Sequence, residues 1–300
     1  LTASLLMAVP LTLAGIGEAV SERAGILNIG VEAIMLSGAF FGFIVAFFTG
    51  NLLLGVLASI IGGVFISLIH AVISIHCKAD QTISGLALNF MALGLTSFLF
   101  LKAFGQTTTL PACKVLGNIK IPILWKIPIL GPVLFNQNIF VYITLIGIVL
   151  ISIFFYKTEW GVDLLAVGED PRAADSAGLN VYSIRYSACI INGIFGGLAG
   201  SCITLAQLGY FMENITSGKG YIALAAVILG RRNPIGIFAA SMIFGFSEAL
   251  QFNLQTTGIP IPSQVFTMFP YVVAVVVLIF SIGRSGDPSA LGIPFERDKR

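Results

Sequence analysis

The chain has 300 residues, of which 57% are hydrophobic and 10% are charged, and its formal net charge is +2. A soluble domain carries roughly 25% charged residues, so this composition excludes one. Apolar runs near the ~20-residue length that crosses a bilayer recur along the sequence, whereas a β-barrel would show short alternating segments. The sequence therefore predicts an all-α, polytopic transmembrane helical bundle of about eight to ten spans, formed by one domain over residues 1–300.

The first half of the chain contains five predicted spans and one long connection. Four apolar segments lie close together, at residues 1–20, 25–48, 52–75 and 82–104. The stretch 103–138 then contains several prolines, which argue against a regular helix because proline lacks a backbone donor. These are Pro111, Pro122, Pro128 and Pro132. We predict an external loop that lies on the membrane surface, followed by a fifth span at residues 139–156.

Residues 157–185 interrupt the apolar pattern. They hold eight charged residues, out of the 16 basic and 14 acidic residues of the whole chain. The centre of this stretch has the signals of a very short helix. Asp170 is a good N-cap, and Pro171 suits the first helical position because its missing N–H would be unpaired there. Residues 172–177 give about two turns, and Gly178 supplies a left-handed stop. The pattern indicates a docking element for a soluble partner, with an ordinary cytoplasmic loop as the alternative.

The second half contains three long apolar segments and one short one. Residues 186–208 form the sixth predicted span, and the glycines within it give a small-residue face suited to close helix contact. Residues 221–229 form an apolar run that is too short to cross alone, so we expect half of a broken helix or a re-entrant piece. The remaining spans are predicted at residues 234–254 and 265–282.

The distribution of lysine and arginine predicts the orientation, because these residues are enriched in cytoplasmic loops. If residues 157–185 are cytoplasmic and the spans alternate, 11 of the 16 basic residues fall inside and five outside. The opposite orientation reverses these numbers. We therefore predict about nine crossings, with the start of the sequence outside and the C-terminus in the cytoplasm.

Polar side chains inside the predicted spans are candidates for lining a transport pathway. A charge at bilayer depth costs at least ~2.5 kcal/mol on insertion scales, so it usually faces a cavity or a partner. The candidates are Asn28, Glu32, Asn89 and Glu248. Asn192, Gln207 and Gln251 add further amides. Such groups could hydrogen-bond a polar, uncharged solute such as a sugar or a nucleoside; the alternative is that the amides tie helices together.

Several sequence signatures of enzymes are missing from the chain. The nearest fragment to a GxxxxGK[ST] phosphate-binding loop is residues 217–220, which lack the upstream glycine and the Ser/Thr. His70 and His76 have no clustered Cys or carboxylate, so no metal site is expected. There is no Gly-x-Ser-x-Gly elbow and no HExxH motif. We expect a protein that is not an enzyme and binds no cofactor itself.

Several stretches together resemble one protein family. Residues 168–178 (GEDPRAADSAG) resemble the cytoplasmic loop that docks the ATPase in permease subunits of bacterial ABC importers for branched-chain amino acids, simple sugars and nucleosides. Three other stretches look more like the nucleoside (guanosine-type) branch. They are residues 21–38, 81–96 and 230–250. The similarity covers nearly the whole chain.

The resemblance implies a set of partners and a location. Such permeases lie in the bacterial inner membrane and pair with a second, related permease chain. They dock a cytoplasmic ABC ATPase, which binds the ATP, and they receive solute from an extracytoplasmic binding lipoprotein; no nucleic acid is involved. The implied docking residues are Glu169, Asp170, Pro171, Arg172, Ala173, Ala174, Ala177 and Gly178.

The expected mechanism is alternating access, in which closure of the ATPase moves the docking helix and rearranges the spans. Within this reading, replacing Glu32 by alanine should reduce uptake and leave complex assembly intact. Three alternatives remain open: an ABC permease for simple sugars, an ion-coupled secondary transporter and a passive channel. The capped helix favours the ABC importer, because neither of the last two calls for a soluble docking element.

Overall fold

The fold is a bundle of α-helices, and the computed structural model describes residues 2–105, 110–120, 135–256, 262–281 and 286–297. Within these residues the chain forms eleven α-helices and one two-stranded antiparallel sheet. The elements are α1 (Thr2–Arg23), α2 (Val31–Thr49), α3 (Leu52–Ala71, continued by a π-helical turn Val72–His76), α4 (Gln81–Phe104), β1 (Asn118–Lys120), β2 (Asn136–Asn138), α5 (Ile139–Lys157), α6 (Glu159–Glu169), α7 (Pro171–Ser176), α8 (Val181–Ser201, continued by a π-helical stretch Cys202–Leu208), α9 (Lys219–Leu229), α10 (Pro234–Thr256) and α11 (Ser263–Ser281).

Seven of the described helices are long and apolar enough to cross a membrane, which confirms the all-α polytopic fold. They are α1 to α5, α8 and α10, with α3 and α8 extended by their π-helical residues. Helix α9 has 11 residues. At 1.5 Å per residue it reaches only about 16 Å, whereas the hydrocarbon core is about 30 Å thick. It is therefore too short to cross alone, as its sequence indicated.

Helices α1, α2 and α8 form the centre of the bundle. In their apolar stretches 83%, 72% and 78% of the residues are buried, whereas the corresponding values for α3, α4 and α5 are 33%, 33% and 39%. The outer helices expose large apolar side chains, for example Ile61, Phe90 and Val149. Such surfaces match the hydrocarbon of a bilayer, so the outer helices carry the lipid-facing side of the fold.

Helices α2, α3 and α8 approach one another at glycines. A Cβ built on Gly63 of α3 would lie 2.4 Å from the carbonyl oxygen of Gly193 on α8. One built on Gly38 of α2 would lie 2.7 Å from the Cα of Gly197. Inside a membrane, close van der Waals packing of this kind drives helix association in place of the hydrophobic effect. Two neighbouring helices therefore use the small-residue face predicted on residues 186–208.

The second span begins six residues later than predicted, because residues 25–30 are not helical. Side chains of other elements accept hydrogen bonds from two backbone donors of this segment. The N–H of Leu27 donates to Oε1 of Gln81 (2.7 Å), and the N–H of Asn28 donates to Oε1 of Glu18 (2.9 Å). These contacts help the chain to leave helical geometry inside the bundle, where backbone donors need protein partners.

Part of the predicted external loop 103–138 is described, and it folds back onto α8. Strand β1 pairs with β2, with Asn118 opposite Asn138. The N–H of Leu116 donates to the carbonyl of Leu205 at 2.8 Å, which fixes this hairpin to the end of the α8 extension. Residues 106–109 and 121–134, with three of the four prolines, lie outside the described residues.

Candidate functional site

The short helix α7 has both of the end signals that the sequence indicated. The Asp170 carboxylate accepts hydrogen bonds from the N–H groups of Arg172 and Ala173, both at 3.0 Å, and Pro171 occupies the first turn. Gly178 has a φ of +94°, the left-handed geometry that ends the helix. Helix α6, which was not predicted, leads directly into it. The polar interruption is thus a helix pair instead of a single helix.

One side of α7 is anchored and the other is exposed. Ala174 is buried in a small apolar cluster with Val167, Val181 and Phe295. The other proposed docking residues on and around α7 are exposed or half-buried. These are Glu169, Asp170, Pro171, Arg172, Ala173, Ala177 and Gly178. In this arrangement Ala174 holds the helix in place, and the exposed residues are available to a partner.

The C-terminal segment, residues 286–297, packs across the α6–α7 pair, a contact that sequence reasoning missed. The N–H of Ala290 donates to the carbonyl of Gly168 at 3.0 Å, and the N–H of Gly292 donates to that of Gly25 at 3.1 Å. Phe295 is only 5% exposed. The segment therefore joins the α6–α7 pair to the bend between α1 and α2.

Charged side chains extend this contact at the surface. Glu169 Oε2 accepts hydrogen bonds from the Ser289 N–H and hydroxyl (3.2 and 2.9 Å), and Arg297 pairs with Asp175 at 3.0 Å. Glu296 pairs with Lys78, whose ammonium lowers the pKa of the Glu296 carboxyl. Together α7, the C-terminal segment and Lys78 line a surface groove of about 600 Å³.

Replacing Asp170 by alanine should weaken the start of α7. Loss of an N-cap side chain costs about 1 kcal/mol, and this side chain caps two N–H groups of a six-residue helix. We expect hydrogen exchange of the Arg172 and Ala173 amides to rise about fivefold, measured by mass spectrometry on the solubilised protein. Asp170→Asn keeps the acceptor and should exchange like the wild type. An unchanged rate in Asp170→Ala would contradict the capping role.

Glu32 lies in the first turn of α2 and binds the start of α9. Its carboxylate accepts hydrogen bonds from the Thr216 hydroxyl (2.5 Å) and from the N–H groups of Gly218 (2.8 Å) and Gly220 (2.6 Å). The first N–H groups of any helix lack intrahelical partners. Glu32 supplies the acceptor for two N–H groups, those of Gly218 and Gly220, at the start of a short helix that begins inside the bundle.

Asn89 and Asn28 lie close to this contact. The Asn89 amide accepts a hydrogen bond from the Ala33 N–H (2.8 Å) and donates to the Tyr221 hydroxyl (2.8 Å), so it links α4, α2 and α9. Asn28 is fully buried, and its Oδ1 accepts from the Gly30 N–H at 2.9 Å. The structure thus places Asn28, Glu32 and Asn89 close together; the contacts of Glu32 and Asn89 join helices, whereas the Asn28 side chain bonds within its own bend. Their lining of a pathway stays a prediction.

Glu248 lies apart from that group and faces a cavity. It pairs with Lys219 at the start of α9, and the two side chains are only 15% and 14% exposed. The cavity has a volume of about 300 Å³ and lies between α1, the end of α8, α9, α10 and α11; we call it the polar cavity. Of the four predicted pathway residues, Glu248 is the one that lines it. The sequence placed Lys219 among the five basic residues outside and within the incomplete phosphate-loop fragment, and it did not indicate the pairing with Glu248.

Two acids near the end of α1 were also missed. Glu18 accepts a hydrogen bond from the Asn192 amide at 2.7 Å. Glu22 pairs with Arg232 at 2.5 Å, and Arg232 pairs with Asp287 of the C-terminal segment at 2.5 Å. The spacing of four between the acids places them on one face of a helix. Two acids at this spacing within an apolar run are the sequence feature that could have identified them.

Comparison with known proteins gives a consistent result. The family model described as "Branched-chain amino acid transport system / permease component" matches residues 1–281. The "Guanosine ABC transporter permease protein NupQ" of Bacillus subtilis is 38% identical, over 99% of this chain and 96% of its own length. The "Nucleoside ABC transporter permease protein NupC" of Lactococcus lactis is 34% identical, over 98% and 96%. The "Putative glucose ABC transporter permease protein TsgC13" of Haloferax volcanii is 32% identical, over 99% and 97%.

A solved structure shares the fold. It is described as "An inward-facing conformation of a putative metal-chelate type ABC transporter" and matches with a TM-score of 0.53 over 93% of this chain and 84% of that one. The sequence identity is 15%, so this likeness concerns the fold alone.

Proposed function

The chain belongs to the family of permease components of branched-chain amino acid transport systems, and from that membership we propose that it carries nucleosides as the permease subunit of an ABC importer. The observation that carries the proposal is the 38% identity to a guanosine permease protein across almost the whole of both chains. A nucleoside permease protein at 34% identity supports the same substrate class.

A simple sugar is the second candidate substrate. It is favoured by the relative named as a glucose permease, which is 32% identical over 99% of this chain. The two substrate classes differ chemically in the heterocyclic base, which a nucleoside has and a free sugar lacks. Uptake of guanosine and of glucose by the same purified importer therefore separates them.

The proposed partners follow from the position of α7. The exposed side of this helix would dock a cytoplasmic ABC ATPase, which supplies the ATP. A second permease chain and an extracytoplasmic binding lipoprotein would complete the importer. The lysine and arginine distribution supports a cytoplasmic position for α7 and for the C-terminus.

The contacts around α6 suggest how closure of the ATPase would reach the spans. A Cβ built on Gly168 of α6 would lie 2.0 Å from the carbonyl oxygen of Arg23, so the α6–α7 pair touches the end of α1 directly. The preceding residue, Glu22, pairs with Arg232 at the entry to α10, and α10 carries Glu248. This chain of packed contacts supports transmission from α7 to the polar cavity.

Exchange of residues 172–177 for a Gly/Ser linker tests the docking role. We expect an ABC ATPase to co-purify with the wild-type protein from detergent-solubilised membranes and to be absent from the variant, because the linker has no capped helix. Size-exclusion chromatography of the variant serves as the control for folding. In proteoliposomes, the assembled wild-type importer should accumulate guanosine only with ATP.

Each outcome has a defined meaning. If no ATPase associates with the wild-type protein under gentle conditions, an ion-coupled secondary transporter becomes the better description, with Glu32 and Glu248 as the first residues to test for ion coupling. If the importer assembles and accumulates glucose but not guanosine, the substrate class is wrong and the transporter class stands.

A further inference from the structure

The polar cavity combines charged, amide and aromatic side chains within the membrane-spanning part of the bundle. The residues that bear on its chemistry are Gln207, Lys219, Glu248, Gln251, Phe252 and Tyr271. Its volume of about 300 Å³ lies at the low end of the range for small-molecule sites, which is about 300–1,000 Å³. The cavity therefore suits one small polar molecule.

Gln251 is the amide in the polar cavity that is best placed to bind a ligand. Its side chain is only 8% exposed and lines the cavity. Among the described residues it has no hydrogen-bond partner. Its amide nitrogen and oxygen are accessible from the cavity, so they are free to hydrogen-bond a molecule bound there. Since an amide offers both donors and an acceptor, a bound molecule could satisfy it on both counts.

The neighbouring side chains offer further acceptors. Glu248 Oε1 accepts a hydrogen bond from the Lys219 ammonium, and its Oε2 has no hydrogen bond within the described part of the chain. Gln207 donates through Nε2 to the Leu6 carbonyl at 2.9 Å, which leaves its Oε1 available to a ligand. Ionisable residues inside a membrane are costly and usually functional, so the Lys219–Glu248 pair also indicates a functional role for this cavity.

We propose that the polar cavity binds the base of a nucleoside, with the Gln251 amide and the free oxygen of Glu248 contacting the edge of the base. The edge of a nucleobase presents adjacent donors and acceptors, which a carboxamide pairs with two at a time. The rings of Phe252 and Tyr271 can pack on the face of a base. A free sugar has hydroxyls but no aromatic face. This inference rests on the proposed nucleoside specificity.

The position of the cavity fits the expected direction of transport. Leu6 and Met7, near the start of α1, line it, and Gln251 lies five residues before the end of α10. In the predicted orientation both positions belong to the extracytoplasmic half of the membrane. A solute released by a binding protein would meet this cavity early on its way through the permease.

Two pairs of variants test the proposal in the assembled importer. Asn253 is the matched control. It lies on the same helix as Gln251, and its side-chain amide donates a hydrogen bond to the Ala249 carbonyl of that helix. With saturating binding protein, Gln251→Leu should lower the rate of guanosine uptake about tenfold, and Asn253→Leu should leave it unchanged. The second pair tests protection from labelling. We expect guanosine to slow the alkylation of Gln251→Cys by N-ethylmaleimide, measured by mass spectrometry of the peptide that contains position 251. Guanosine should not change the alkylation rate of Asn253→Cys, and ribose should slow alkylation at neither position.

The outcomes separate this proposal from the proposed function. If the wild-type importer takes up guanosine but guanosine protects neither position and Gln251→Leu transports normally, the subsite is wrong and the function stands. If glucose protects Gln251→Cys and guanosine does not, the assignment to a base is wrong. If the wild-type importer carries no nucleoside, the proposed function itself fails. Should Gln251→Leu not assemble, the labelling of Gln251→Cys still decides.

Discussion

Replacing Glu32 by alanine is expected to lower both the thermal stability of the permease and its transport. The substitution leaves the N–H groups of Gly218 and Gly220 and the hydroxyl of Thr216 without their acceptor. Each buried polar group left unpaired costs about 1–3 kcal/mol, so the total loss is on the order of 3 kcal/mol or more. The sequence alone suggested that transport would fall with assembly intact, and the observed contacts add a cost in stability.

The unfolding midpoint in detergent and guanosine uptake should be measured on the same preparations. Glu32→Gln keeps one acceptor oxygen and should fall between the wild type and alanine. Glu213→Ala removes an exposed acid from the segment that leads to α9 and should behave like the wild type. Wild-type stability together with lost uptake would favour a pathway role over an anchoring role. If Glu32→Ala has both the unfolding midpoint and the guanosine uptake of the wild type, Glu32 has neither the anchoring role nor the pathway role.

Replacing Arg232 by alanine is expected to cost about 3–5 kcal/mol of folding free energy, the usual result of removing one partner of a buried ion pair. Glu22 is 1% exposed and Arg232 is 4% exposed, so the variant leaves the Glu22 carboxylate buried without its guanidinium partner. Asp287 of the C-terminal segment also loses its partner. The end of α1, the entry to α10 and the C-terminal segment should therefore loosen together.

Arg231 provides a close control. It is the adjacent residue, it is exposed, and its φ of +53° matches the +55° of Arg232. Arg231→Ala removes the same charge from the same backbone geometry and should leave the unfolding midpoint within the error of the wild type. Adding Glu22→Gln to Arg232→Ala removes the unpaired buried charge and should restore part of the stability. Equal midpoints for the Arg231 and Arg232 variants would contradict the importance of the ion pair.

The sequence predicted what depends on local signals. Apolar runs near the membrane length placed the seven span-length helices of the described residues. Asp170, Pro171 and Gly178 placed both ends of α7, because capping involves neighbours in the chain. The glycines of α8 indicated close packing because small residues allow backbones to approach. Each of these features can be read within about 30 residues of sequence.

Features that depend on distant partners were not predictable in this way. Residues 25–30 leave helical geometry because Gln81 and Glu18 supply acceptors for them, and neither position is marked as an acceptor by its own neighbours. Helix α6 was missed because its charged residues, within a polar stretch, resemble those of a loop. The packing of Phe295 under α7 has no periodic signal, since residues 286–297 contain no regular helix or strand.

That last contact has a consequence for the order of biosynthesis. Ala174 and Phe295 share one small cluster, although Phe295 is translated over 100 residues later. At about 5–20 residues per second, ribosomes need roughly 6–24 s for that interval. During this time a nascent chain has its α7 helix without the segment that holds it in place. The surface that we expect an ATPase to recognise is therefore complete only once residues 286–297 have been synthesised and have packed against α7.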